Sequence, residues 1–157
     1  MHLGTSDQGV CMFEFDVPER IERHKLQLSA IFQEVDSPPI DIHKELTTQL
    51  DAYFRGEVIS FEIPVEFVGT KFQVALWKSL QRIPYGKTIT YMNQSIELGN
   101  PEAIRAVANA NGQNRIAILI PCHRVIGTNG SLQGFSGGLW RKEYLLSLEK
   151  GQSRIEF

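Results

Sequence analysis

Five apolar residues in a row, Ile116-Ala117-Ile118-Leu119-Ile120, constrain this chain more than any other feature. Such a run carries no polar face to give to water, so the rest of the chain must bury it. Pro121 stops the run, and Cys122 and His123 therefore emerge where buried backbone meets a cleft. The chain must supply both the walls around residues 116–120 and the environment of that thiol.

A length of 157 residues suits one medium domain or a small domain joined to a second compact unit. Hydrophobic residues at 42% and charged residues at 22% are ordinary for a globular protein. No apolar run approaches the roughly 20 residues that span a bilayer. Met1-His2-Leu3-Gly4-Thr5 has neither a basic segment nor an apolar core, so no secretory signal is expected. Cys11 and Cys122 lie far apart and read as free thiols in a reducing compartment, which implies the cytoplasm, or the nucleus in a eukaryote.

The net charge of -2 conceals an asymmetry. Residues 1–68 hold 13 Asp and Glu against 5 Lys and Arg, a net of -8; residues 69–157 hold 5 against 11, a net of +6. An acidic half that avoids polyanions thus precedes a basic half that can meet one, although solvated surface charge alone also produces such an imbalance.

Local patterns divide the chain at the same place. The first half, 1–68, reads as an α/β scaffold, a small sheet with helices. Residues 11–16 alternate as a half-buried strand does, 20–33 form a helix or a strand and turn, and Ser37-Pro38-Pro39 is punctuation. Leu46, Leu50 and Phe54 repeat every four positions in a helix starting near Asp41 and ended by Gly56. Residues 59–63 alternate again, Pro64 suits an edge strand, and 65–69 form a linker.

The second half, 69–157, is mainly helical. A helix opens at Thr70 with Phe72, Leu76, Leu80 and Ile83 on one face, closed by Pro84-Tyr85-Gly86. A short helix over 90–98 takes Thr90 as N-cap. After Gly99 a second, over 102–111, takes Asn100 as N-cap with Pro101 at its first position, and Gly112 ends it. Two short helices across a tight turn make a helix-turn-helix pattern. Residues 128–131 are a turn and 134–138 a Gly-rich loop. A last helix over 139–150 turns Tyr144, Leu145 and Leu148 inward.

A thiol with a pKa of about 8.5 needs a base or a stabilised thiolate to act as a nucleophile at neutral pH. His123 adjoins Cys122, but neighbouring side chains rarely bond directly with good geometry, so a bridging water is the expected link. Glu143 and Glu149 are the carboxylates available to orient that imidazole. A buried structural cysteine is the alternative for an isolated Cys-His pair.

The wider pattern removes that isolation. Pro121-Cys122-His123-Arg124-Val125 resembles the active-site signature of the O6-alkylguanine-DNA alkyltransferases. The resemblance runs over 69–151. It takes in Gly69-Thr70, Phe72-Gln73, Trp77, Ile83-Pro84-Tyr85-Gly86, Thr88, Tyr91, Gly99-Asn100-Pro101, Arg105-Ala106-Val107, Asn114 and Ser136-Gly137-Gly138-Leu139, in order. Residues 1–68 match only as the variable N-terminal part of such proteins.

The resemblance implies repair of O6-alkylguanine in double-stranded DNA by stoichiometric, irreversible transfer of the alkyl group to Cys122, without a cofactor. It makes His123 the base, selects Glu149 over Glu143, and makes Asn114 a brace of the active-site turn. Tyr91 becomes the group that polarises or protonates guanine N3, and Ser136 a donor to O6. It gives Arg105 the place of the flipped base, with Ala106, Asn100 and Arg124 also at the DNA. The lesion lies inside the duplex, so the base must rotate out. Small residues, Ala103, Ala106, Ala108 and Ala110, keep the helix slim for close approach to the minor groove.

Three departures stand out. Phe135 replaces the tyrosine of many relatives, Trp140 and Arg141 are bulky enough to narrow the pocket, and Cys11 is the only N-terminal cysteine. Cys11 with His2, His24 and His43 lacks the close ligand pairs of zinc sites, and no metal is expected. A non-catalytic alkyltransferase-like lesion-binding protein is the nearest rival, but such relatives replace the acceptor cysteine. A helix-turn-helix regulator has no use for the Cys-His motif, and a cysteine hydrolase needs no DNA.

Overall fold

The computed structural model describes residues 1–33, 40–57 and 60–151. Among them lie two small two-stranded sheets and six α-helices. The chain forms two compact units. The first comprises Met1–Val68 with Arg115–Ala117, and the second Gly69–Asn114 with residues from Ile118 onward.

In the first unit, β1 (His2–Ser6) pairs antiparallel with β2 (Gly9–Glu14), with a register irregularity at Gly4/Thr5. The alternation at 11–16 suggested a half-buried strand; β2 instead lies earlier and is buried along its whole length. Its far edge explains why. Val10 donates to the Pro64 carbonyl at 2.8 Å and accepts from Glu66 N at 3.0 Å, while Phe13 exchanges bonds of 2.8 and 2.7 Å with Arg115 and Ala117. The expected strand ahead of Pro64 is not formed at 60–64, where Glu62 N donates to the Gln49 side chain instead of a ladder. Residues 58 and 59, and the Ser37-Pro38-Pro39 punctuation, lie outside the described residues.

The undecided segment at 20–33 is a helix, α1 (Pro18–Ser29), with Pro18 at its first turn, and Leu28 packs on Cys11 and Met12 of β2. The next helix, α2 (Ile40–Phe54), ends before Gly56, whose φ is +73°. One polar cluster is enclosed between β2 and α1. Glu14 is buried, takes Arg20 Nε and Nη2 at 3.0 and 2.6 Å on one oxygen, and accepts from Phe15 N at 2.9 Å on the other. His24 lies 3.4 Å from the same carboxylate. Burial, then repulsion from Arg20, Arg115 and Arg23, outweighs that carboxylate and holds the imidazole at a pKa of about 3.

In the second unit, α3 (Lys71–Leu80) opens on a capping box: Thr70 Oγ1 accepts from Gln73 N and Gln73 Oε1 accepts from Thr70 N. Its buried face is Leu76, Trp77 and Leu80; Phe72, expected on that face, is exposed. The two-residue β3 (Ile89–Thr90) leads into α4 (Tyr91–Glu97), capped by Thr90. A 3-10 turn over Pro101–Ala103, capped by Asn100, then leads into α5 (Ile104–Gly112). Three buried amides and hydroxyls join these helices. Asn111 donates to Gln94 at 2.7 Å, Gln94 donates to Ser79 at 3.1 Å, and Trp77 Nε1 donates to the Ala110 carbonyl at 2.9 Å.

Residues 116–120 are buried throughout, yet they are not a strand: Ile118 has φ +70°. That left-handed conformation is rare for a β-branched residue and is held only by its surroundings. The chain then runs through a 3-10 turn, Cys122–Arg124, into β4 (Val125–Ile126), which pairs parallel with β3. The last helix is α6 (Leu139–Glu149). Its buried stripe is Lys142, Leu145, Leu146 and Glu149 with Leu148, whereas Tyr144, expected inward, is only half-buried.

The folded pKa of His24 lies below its ordinary 6.5, so the unfolded chain takes the proton first. Stability owed to neutral His24 is full above pH 6.5 and is lost as pH falls toward 3. Urea unfolding at pH 7 and pH 5 should show the parent losing about 2 kcal/mol more than His24→Leu. Equal losses would mean that the imidazole is as easily protonated in the fold as outside it.

Candidate active site

Local backbone geometry presents the thiol. Pro121, at φ -81° and ψ 60°, centres an inverse γ-turn in which Cys122 N donates to the Ile120 carbonyl at 2.8 Å. Arg124 N then donates to the Pro121 carbonyl at 3.0 Å, closing the 3-10 turn. Cys122 is half-buried, whereas Cys11 is buried among Met12 and Leu28. Asn114, itself buried, points Nδ2 at two acceptors, the Ile120 carbonyl at 2.8 Å and Cys122 Sγ at 3.1 Å.

His123 is completely buried, and its Nε2 lies 2.8 Å from Glu149 Oε1. A carboxylate only accepts, so Nε2 carries the proton and Nδ1 keeps its lone pair. Among the described residues Nδ1 has no hydrogen-bond partner. Burial pulls this pKa down against the opposing pull of Glu149, with Arg124 and Lys142 adding to the fall. The imidazole is therefore neutral near pH 7 and free to accept a proton at Nδ1.

Glu149 also takes Arg124 Nε and Nη2, both at 2.9 Å, and Gly86 N at 3.1 Å. Gly86 has φ +70°, and a Cβ there would stand 2.8 Å from the Glu149 carbonyl oxygen, so the Pro84-Tyr85-Gly86 turn requires glycine. Glu143, the other candidate carboxylate, is exposed.

Arg124, expected at the DNA, is placed elsewhere. It is buried, with its guanidinium bonded to Glu149 and to the Ile83 carbonyl at 2.6 Å, over the Tyr85 ring. A guanidinium committed in this way is part of the carboxylate's enclosure and is not available to phosphate.

The remaining site residues fall into two groups. Tyr91 is buried and donates its hydroxyl to the Gln133 carbonyl at 3.0 Å. Burial first, then the negative charge of Cys122, pushes its pKa up to about 12, so it stays a donor. Ser136 is exposed and donates to the Gly112 carbonyl at 3.1 Å. Arg105 and Ala106 are exposed at the start of α5, and Asn100 is exposed with its side chain capping Glu102 N. Ala110, expected to slim that helix for DNA, is buried against α3 instead. Trp140 is 66% exposed, with the Arg141 guanidinium 4.4 Å from its ring, and does not close over the site. Among the described residues no group of three or more His, Cys, Asp or Glu is placed to hold a metal ion.

Sequence reasoning missed Lys142, buried on the same helix as Glu149. Its signal was there: Lys142 stands at i-3 and i-4 to Leu145 and Leu146, inside the apolar stripe.

A half-buried thiol, followed by an imidazole that a buried carboxylate holds by its far nitrogen, defines a protein built for nucleophilic sulfur chemistry. Residues 71–151 match the family model of the 6-O-methylguanine DNA methyltransferase DNA binding domain. The methylated-DNA–protein-cysteine methyltransferase of Methanosarcina acetivorans is 50% identical over 109 residues, 69% of this chain and 70% of the relative. That of Mycobacterium leprae is 52% identical over 108 residues, 69% and 66% of the two chains. Among solved structures, Mycobacterium tuberculosis OGT in complex with DNA superposes with a TM-score of 0.69 at 47% identity, covering 71% of this chain and 70% of that one. The O6-methylguanine-DNA methyltransferase of Pyrococcus kodakaraensis covers 92% and 88%, with a TM-score of 0.73 at 26% identity. The chain belongs to the O6-methylguanine-DNA methyltransferase family.

The enclosure of Glu149 makes a stability prediction. Glu149→Ala leaves the Arg124 guanidinium buried without its carboxylate and should lower unfolding free energy by about 3–5 kcal/mol. The exposed Glu143→Ala should stay within about 0.5 kcal/mol of the parent. Chemical denaturation of the two variants measures both; similar values would remove Glu149 from its structural place.

Proposed function

We propose that this protein repairs O6-alkylguanine in double-stranded DNA by moving the alkyl group irreversibly to Cys122. The observation that carries the reading is one constellation: Cys122 Sγ bonded by Asn114, beside a neutral His123 fixed by Glu149. The Cys122 proton passes through water to His123 Nδ1. The thiolate attacks the alkyl carbon, the S–C bond forms as the C–O6 bond breaks, and the electron pair stays with guanine. The departing base takes up a proton, for which Tyr91 is the donor at N3 once its hydroxyl leaves the Gln133 carbonyl. Ser136 likewise turns from Gly112 to O6. The thioether has no good leaving group, so each molecule acts once.

In this reading α4 and α5 form a helix-turn-helix within a DNA-binding and alkyl-acceptor domain, residues 69–157, and residues 1–68 serve as scaffold. Arg105 fills the stack vacated by the flipped base, with Ala106 and Asn100 beside it. Their exposure and the basic balance of residues 69–157 support that face. A lesion-binding protein without transfer is disfavoured by the presence of Cys122 itself. The protein works where the chromosome is, in the cytoplasm of a prokaryote or the nucleus of a eukaryote. Among the described residues no helix is long and apolar enough to cross a membrane.

Incubation with duplex O6-methylguanine DNA should add one methyl group to the Cys122 peptide, and Cys122→Ser should abolish transfer while binding duplex. Transfer to another residue, or more than one methyl removed per molecule, overturns the reading.

Arg105→Ala should slow repair of duplex strongly while leaving reaction with free O6-benzylguanine near the parent rate. The free base is already unstacked and needs no wedge. An unchanged duplex rate would sink the wedge role, and equal losses on both substrates would make Arg105 a support of the fold.

A further inference from the structure

The loop over residues 134–138 leads into α6 and carries Ser136, and three of its five residues are glycine. Such a segment has little conformational preference of its own, so whatever holds it decides where the Ser136 hydroxyl stands. Gly138 N donates to the Phe135 carbonyl at 3.0 Å, and Ser136 Oγ to the Gly112 carbonyl at 3.1 Å. The second bond must break before Ser136 can reach O6 of a guanine.

A firmer hold comes from the two bulky residues in the first turn of α6. Arg141 grips the Gly137–Gly138 pair twice: its backbone N donates to the Gly138 carbonyl at 3.1 Å, and Nη1 to the Gly137 carbonyl at 2.6 Å. The side-chain bond is charge-assisted and therefore stronger than a neutral one. Trp140 lies against the guanidinium, whose central carbon stands 4.4 Å from the ring centre, well within cation–π range. The same indole runs beside Gly138, where a Cβ would stand 3.4 Å from both Cδ1 and Nε1. Gly138 has φ +97°, a conformation that L side chains rarely adopt. Trp140 is exposed, so it serves the guanidinium and the loop rather than the core.

We propose that Arg141, stacked on Trp140, is a positioning residue for the transfer reaction: it anchors Gly137 and Gly138 so that Ser136 alone turns when a base enters. This deepens the reading of Ser136 as donor to O6, and rests on it. A donor held in place needs no reorganisation at the moment when charge develops on the departing oxygen. An unanchored Gly-Gly segment would have to be ordered afresh in each encounter, which dilutes the productive geometry.

The test uses the full chain, in single-turnover methyl transfer from saturating duplex O6-methylguanine DNA and in reaction with free O6-benzylguanine. Arg141→Ala should slow both by about tenfold, because the donor acts on the base itself whether or not a duplex brings it. Trp140→Ala should slow both in the same direction by less, and Trp140→Phe should restore the parent rate. The deciding readout is the pair with Ser136: in a Ser136→Ala background, Arg141→Ala should cost nothing further. A merely structural loss would persist in that background. Losses that multiply, or a parent rate in Arg141→Ala, overturn the proposal. A loss confined to duplex and recovered at low salt also overturns it, and makes Arg141 a phosphate contact. If Arg141→Ala fails to fold by circular dichroism, Trp140→Ala decides through the same cycle, where a parent rate or multiplying losses overturn the proposal. A parent rate in Ser136→Ala alone would remove Ser136 from the reaction, and the proposal with it. No methyl on Cys122 of the parent would instead strike the acceptor reading on which both depend.

Discussion

Glu149 is a carboxylate in the interior, and everything near the thiol is arranged around making that tolerable. Two bonds from Arg124, one from Gly86 and one from His123 enclose its two oxygens. Each donor is then committed. Arg124 is drawn inward from the surface its charge would suit, Gly86 must be glycine, and His123 is left with a single usable nitrogen. The tautomer of the base is thus decided by a residue 26 positions away in sequence. Specificity of this kind is the best-attested use of a buried ionic group, whatever its net contribution to stability.

The same helix holds a second charge. Lys142 and Glu149 are seven residues apart, two turns and about 10 Å along α6. Both lie on the stripe formed with Leu145 and Leu146. Rotation of α6 by one residue would unseat both ends together. The helix therefore fixes the distance between the Lys142 ammonium, which donates to the Val125 and Gln133 carbonyls, and the carboxylate that holds His123.

Legibility in the sequence followed the range of the interactions. Caps at Thr90 and Asn100 stood in the sequence because a cap is settled within three residues, and the structure forms both. The buried run at 116–120 was equally plain from its own composition. The strand before Pro64 was misread because Glu62 N donates to the Gln49 side chain where a ladder would need a carbonyl from a neighbouring strand. Arg124 was assigned to DNA because charge in a basic half suggests exposure, and only the fold reveals a carboxylate beside it. Phe72 and Tyr144 fit the helical period yet lie toward the surface, since periodicity marks a face but not where the covering ends. Of the site, Cys122 and His123 were legible as a motif and Glu149 through the family resemblance; Lys142, at apolar spacing from Leu145 and Leu146, was passed over because charged residues are discounted from a core by default.

The first unit borrows Arg115–Ala117 from the middle of the second, and this has a topological consequence. The chain passes between units three times: after Val68, after Asn114 and after Ala117, where Ile118 turns back in its left-handed conformation. A single cut after Val68 therefore does not yield two whole pieces. The second fragment would carry three residues folded for a strand it no longer has, with Ile116 stripped of Phe13. The protein reads as two modules in sequence, but its first unit is discontinuous in the chain, which is threaded between the two rather than joined end to end.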